Sequence, residues 1–168
     1  MQRLVGHRGQ SGLGQSRRKA ISFIHKADKL ALPDRYLVIN LSNYSSAPAD
    51  AGFNAVFDSI RQAADNVGLR CRRADDIWEN AAIIQDVVAL IDRSRVVVCD
   101  CSGRNPNVFY EAGIAHTLGR EAILITQSEH DIPFDLRHLR YVRYLNNAEG
   151  RAALTGALQA RMHTVLGH

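Results

Sequence analysis

Hydrophobic and polar positions alternate in blocks along the chain, and the blocks change period in a regular way. Tyr36-Leu-Val-Ile-Asn-Leu41 is a short apolar run, which predicts a first strand, and a polar loop follows from Asn43 to Ala49. Residues 51–67 place Val56, Phe57, Ile60, Ala64 and Val67 on one face, which predicts an amphipathic helix stopped by Gly68. Leu69 to Arg73 predicts a second strand, and Asp75 to Glu79 a loop holding the only tryptophan, Trp78. Residues 80–93 form the next helical pattern through Ile83, Ile84, Val87, Val88 and Ile91. Arg95-Val-Val-Val-Cys99 then predicts a buried parallel strand ending at Asp100. Asn105 is a good N-cap and Pro106 suits the first helical position, so a third helix begins there and runs to Leu118, with Gly119 as its stop. Ala122-Ile-Leu-Ile-Thr126 and Tyr141-Val-Arg-Tyr144 predict two more strands, and residues 148–166 a closing helix.

Strands alternating with helices predict an α/β fold with helices on both faces of a parallel sheet. Five strands suggest a flavodoxin-like (Rossmann-like) three-layer sandwich of strand order 2-1-3-4-5, with its switch point between strands 1 and 3. That order sets the loop Asn40 to Ser46 beside Asp100 to Asn107. Ahead of it, residues 16–31 read as an extra amphipathic helix ended by Pro33. The chain therefore divides into a basic leader with its helix, residues 1–33, and an α/β domain, residues 34–168.

Charge changes this picture only at the N-terminus. The net charge is +4, but Arg3, Arg8, Arg17, Arg18 and Lys19 have no acid among them and the rest of the chain sums to −1. Nucleic-acid contact by this tail is an option, and a solvated leader is the favoured reading. No apolar run is long enough to cross a bilayer and no signal-peptide pattern opens the chain, so a cytoplasmic protein without membrane contact is expected. Cys71, Cys99 and Cys101 read as core thiols. The histidines show no metal-ligand spacing, and Cys101 has no adjacent base to make it a nucleophile.

The densest chemistry lies in Asp100-Cys-Ser-Gly-Arg-Asn-Pro-Asn-Val-Phe-Tyr-Glu111. A strand end, a polar turn and a helix start form a ready site for a sugar or phosphate. Asp100 on the strand and Glu111 in the second helical turn are expected to face one crevice. Glu111 is the candidate nucleophile for an N-glycosidic bond, attacking C1′ as the base departs. Asp100 would orient sugar hydroxyls or tune Glu111 by like-charge proximity. Ala112, Gly113 and Ala115 would allow close packing of the helix. Candidate substrate contacts are Asn40, Ser42, Asn43, Tyr44, Asp75, Trp78, Ser102, Gly103, Asn105 and Asn107. Tyr44 or Trp78 would stack a base, the serines or Arg104 would meet a phosphate, and Asn105 has capping as its simpler role. In Asp131-Ile-Pro-Phe-Asp135-Leu-Arg137, Phe134 is expected to plug the core and Asp135 to pair with Arg137 or Arg140.

The run Asp100-x-Ser-Gly-x-Asn-Pro-Asn-Val-Phe-Tyr-Glu111-x-Gly-x-Ala115, with Ile123-Leu-Ile-Thr-Gln127 and Asp131-Ile-Pro-Phe-Asp-Leu136, resembles the nucleoside 2-deoxyribosyltransferase-like superfamily. That superfamily includes nucleotide N-glycosidase and TIR-like relatives. The match covers about residues 35–145. It implies a flavodoxin-like fold, a catalytic glutamate at Glu111, Asp100 as sugar-binding or assisting acid, and oligomer neighbours that complete the pocket. No cofactor and no metal is expected. Asn40-Leu-Ser-Asn-Tyr44 departs from both the Gly-rich phosphate turn and the transferase tyrosine motif of these relatives. Three functions follow: cleavage or transfer at a nucleoside or nucleotide N-glycosidic bond, a TIR-like NAD-cleaving or signalling domain, and a non-catalytic nucleotide-binding sensor or partner domain.

Overall fold

The computed structural model describes residues 37–41, 51–73 and 83–167. They form a small α/β domain with a parallel sheet. The elements run β1 (Leu37–Leu41), α1 (Ala51–Asp65), β2 (Arg70–Arg73), α2 (Ile83–Arg93), β3 (Val96–Asp100), α3 (Pro106–Thr117), β4 (Glu121–Thr126), β5 (Tyr141–Arg143) and α4 (Ala148–Leu166). Short 3₁₀ turns at Ser102–Arg104, Glu129–Asp131 and Phe134–Leu136 fill the connections on either side of α3 and β4. The leader and first helix expected over residues 1–33 lie outside the described residues.

The strands stand in the order β2-β1-β3-β4-β5, every pair parallel. The register sets Leu41 opposite Cys99, Asp100 opposite Ile125, and Thr126 opposite Arg143. The C-terminal ends of β1, β3 and β4 therefore finish at one crest.

β3 is buried along its whole length, as a central strand covered on both faces must be. Val97 and Cys99 face a core built with Leu90 and Ile91 of α2 and with Val108, Ala112 and Ala115 of α3. Val96 and Val98 face the other core, with Val56, Ile60 and Ala64 of α1 and Leu154, Leu158 and Met162 of α4. Asp100, two residues beyond Val98, shares that second face by strand parity. On this face α1 and α4 are also tied by polar contacts, Asn66 to Gln159 at 3.1 Å and the Thr155 hydroxyl to the Ser59 carbonyl at 3.2 Å.

Helix stops follow the expected chemistry. Gly68 and Gly119 take φ of 72° and 65°, left-handed values that end α1 and α3 where an L side chain would be strained. Two expectations fail. Phe134 is 82% exposed and plugs nothing, because Ile132 is the residue that the loop turns inward. Asp135 makes no ion pair with Arg137 or Arg140, since it stands exposed on a 3₁₀ turn. No described helix is long and apolar enough to cross a membrane.

Candidate functional site

The crest of β3 turns sharply. Asp100 ends the strand, and Ser102–Arg104 form a 3₁₀ turn in which Gly103 and Arg104 both have positive φ, 74° and 57°. Glycine holds such a value freely, but arginine does so at a cost of about 1 kcal/mol. Arg104 is the one non-glycine residue with positive φ among the described residues, and it sits in the turn the sequence marks for chemistry. Its partners hold it there. The guanidinium lies 3.6 Å from Asp131 and donates to the His130 carbonyl, and the Gly103 N–H donates to Asp131 Oδ2 at 3.1 Å. Arg104 is thus tied to the loop after β4, with its side chain 63% exposed.

Asp100 is the centre of a buried network. Its Oδ1 accepts from the Ser102 N–H at 3.0 Å, and its Oδ2 accepts from the Tyr144 hydroxyl at 2.8 Å. The Ser102 hydroxyl accepts from the Gln127 N–H at 3.0 Å, and the Gln127 side-chain amide approaches the Tyr144 oxygen at 3.4 Å. Burial raises the Asp100 carboxyl above its ordinary range, against the pull of the Ser102 and Tyr144 hydrogen bonds. Burial likewise raises the Tyr144 phenol, with Asp100 adding to it. A carboxylate offers about four acceptor directions, so the donors of Ser102 and Tyr144 leave Asp100 with accepting capacity.

Glu111 reaches the crest differently. It stands one turn from Val108 and Ala115 on α3, at the edge of the buried stripe. That position leaves its carboxyl half-buried with no hydrogen bond or ion pair among the described residues, and burial alone pushes its pKa up to about 7. α3 covers the Cys99 face of the sheet, whereas Asp100 points to the Val98 face. The two carboxyls approach the crest from opposite sides.

The remaining expected residues divide into three groups. Asn105 caps α3, accepting from the Asn107 N–H at 2.9 Å, and the Asn107 side chain is exposed. Ser102 and Gly103 use their N–H groups on Asp100 and Asp131. The β1 backbone places Asn40 opposite Val98, but its side chain lies outside the described residues, as do Ser42, Asn43, Tyr44, Asp75 and Trp78. Gly113 has nothing within 4 Å of an added Cβ, so the close approach expected there is absent and Ala112 and Ala115 do the packing.

Sequence reasoning missed Tyr144, Gln127 and Asp131. Tyr144 had a signal in its strand-end position, and Asp131 had one in its place beside Pro133 in a loop returning to the crest. The Cys99 and Cys101 thiols are buried and raised, Cys101 to about 12, so neither is a nucleophile at neutral pH. Among the described residues no cluster of three His, Cys, Asp or Glu is placed to hold a metal.

No family model and no curated protein matches the chain. Among solved structures, the Vibrio vulnificus NanR protein complexed with ManNAc-6P is similar at 11% identity and a TM-score of 0.50. The likeness covers 93% of this chain and 63% of that one, so the chain spans less than two thirds of the neighbour's length. At that identity the likeness is one of fold: the domain shares the Rossmann-like α/β arrangement of this solved neighbour.

Proposed function

We propose that the domain binds a small polyhydroxylated ligand, a sugar or the ribosyl part of a nucleoside or nucleotide, at the crest of β1, β3 and β4. The observation that carries this reading is the buried Asp100 carboxylate, fixed by Tyr144 and Ser102 and still able to accept from ligand hydroxyls. Ligands of open parallel sheets sit beyond the strand ends where the order reverses, here between β1 and β3. In the turn after β3, Arg104 is taken up by Asp131, while Asp100 and Glu111 remain. This balance favours hydroxyl-rich groups over phosphate as the part held by these residues. The solved neighbour's complex with ManNAc-6P supports a sugar-bearing ligand as the class.

Calorimetric titration with a panel of sugars, nucleosides, nucleotides and NAD tests the reading. Saturable binding by one class is expected, weakened about tenfold or more in Asp100→Asn. Absence of binding across the panel would sink it. Light scattering with and without the bound ligand checks whether a homo-oligomer completes the site.

A second reading has its own support. Glu111 has no protein partner among the described residues, and with a pKa of about 7 about half of it is ionised at neutral pH and able to attack C1′ while the C1′–N bond breaks. A purine or pyrimidine would leave with the bonding electrons and take up a proton from solvent, nicotinamide would leave with them as a neutral molecule, and water or a second base would resolve the glycosyl ester. This is N-glycosidic cleavage or transfer, and with NAD as substrate it is the TIR-like variant. Chromatography of wild type and Glu111→Gln separates the two readings. A base released by wild type alone establishes catalysis, whereas ligand retained by both without release leaves the binding module.

A further inference from the structure

We infer that a second ligand site, for a small phosphate-bearing molecule, lies in the basic cleft at the opposite end of the sheet, between the starts of β4 and β5 and the end of α3. The cleft has a volume of about 540 Å³ and is lined by His116, Arg120, Glu121, His138, Arg140 and Arg161 over an apolar floor that includes Ile123 and Val142. That volume falls within the range of small-molecule pockets. Three arginines face one glutamate, a net of +2 with both histidines neutral.

The internal ion pairs do not exhaust this charge. Arg161 holds Glu121 at 2.5 Å, and Arg120 reaches out of the lining to Asp92 at 2.7 Å. Arg120 still has a buried Nε without a hydrogen-bond partner. Arg140, His116 and His138 make no ion pair among the described residues. His116 and Arg120 are accounted for in part by the C-terminus of α3, whose dipole favours cations. That account does not reach Arg140, His138 or Arg161, which come from the loop before β5 and from α4. Cations from three separate elements around an apolar floor match a ligand with an anionic head and a less polar body. A fork-shaped guanidinium is the group best suited to grip such a head.

The cleft is separate from the crest site. Glu121 and Thr126 bound β4 at its two ends, a separation of roughly 16 Å along the strand. Failure of one proposal therefore leaves the other standing.

The test follows the histidine ring signals by NMR during titration with inorganic phosphate and with AMP. Saturable shifts at His116 and His138 are expected, with AMP tighter than phosphate because its body covers the apolar floor. The double variant Arg140→Ala/His138→Ala, both sites being exposed, should fold and weaken AMP binding about tenfold or more. Arg143→Ala removes an equal charge from β5 outside the cleft and should leave the affinity unchanged. Rings that do not shift at millimolar AMP would overturn the site. Equal weakening by Arg143→Ala would overturn it too, since the effect would then be one of overall charge.

Discussion

Tyr144 and Glu111 stand for two ways of keeping a polar side chain at the end of a buried strand. The Tyr144 hydroxyl donates to Asp100 and so favours the ionised carboxyl against burial. Tyr144→Phe should cost about 1–3 kcal/mol in urea unfolding and raise the Asp100 pKa further, because the carboxylate loses a donor and gains no water. Glu111 has no such donor. Its pKa is about 7 in the folded chain against 4.5 for a free glutamate, so the folded state holds the proton more tightly between those values. Its contribution to stability is therefore complete below about pH 4.5 and is lost as the pH rises through about 7. A fall in Tm between pH 5 and pH 8 is expected, with Glu111→Gln flattening it by about 3 °C after allowance for the exposed part of the group.

At the scale of elements, helix starts and stops carry much of the order. Asn147 caps α4 through the Gly150 N–H at 2.7 Å, and a Cβ on Gly150 would meet the Leu145 carbonyl oxygen at 2.2 Å. Gly150→Ala should destabilise by about 1–3 kcal/mol, measured by thermal unfolding, because backbone and not a flexible side chain stands in the way. These elements were legible because each rests on local signals: period, cap and stop. The closing helix over residues 148–166 and the Asn105 cap of α3 are read directly from such signals. Less legible was anything that depends on which face a strand end presents. The spacing between Asp100 and Glu111 says nothing of the side from which each reaches the crest, and Tyr144 lies 44 residues from the carboxylate it serves. Phe134 misled for a related reason. Hydrophobicity marks it for the core, but Ile132 already fills the space beneath the loop.

Across the whole molecule, two cores share one sheet, and the central strand belongs to both. Ile91 is fully buried on one side and Ile60 on the other. Ile91→Ala and Ile60→Ala should each cost about 2–5 kcal/mol in urea unfolding. If the two faces unfold together, their costs will add in the double variant, since the sheet lies between the two sites. Two carboxyls raised by burial, Asp100 and Glu111, belong to the crest, and three arginines line the cleft at the opposite end of β4.

The loop after β4 is fastened to the turn after β3 at four points: Gln127 to Ser102, Asp131 to Gly103, Asp131 to Arg104, and the His130 carbonyl to Arg104. Phe134 stands beyond these points, 82% exposed, as an open target for chymotrypsin. A cut there would sever the peptide chain downstream of every fastening. The larger piece would keep the crest assembled, and the smaller would keep Tyr144 docked against Asp100. The domain should therefore survive as a nicked two-chain complex, running as one species on a native gel and as two in denaturant.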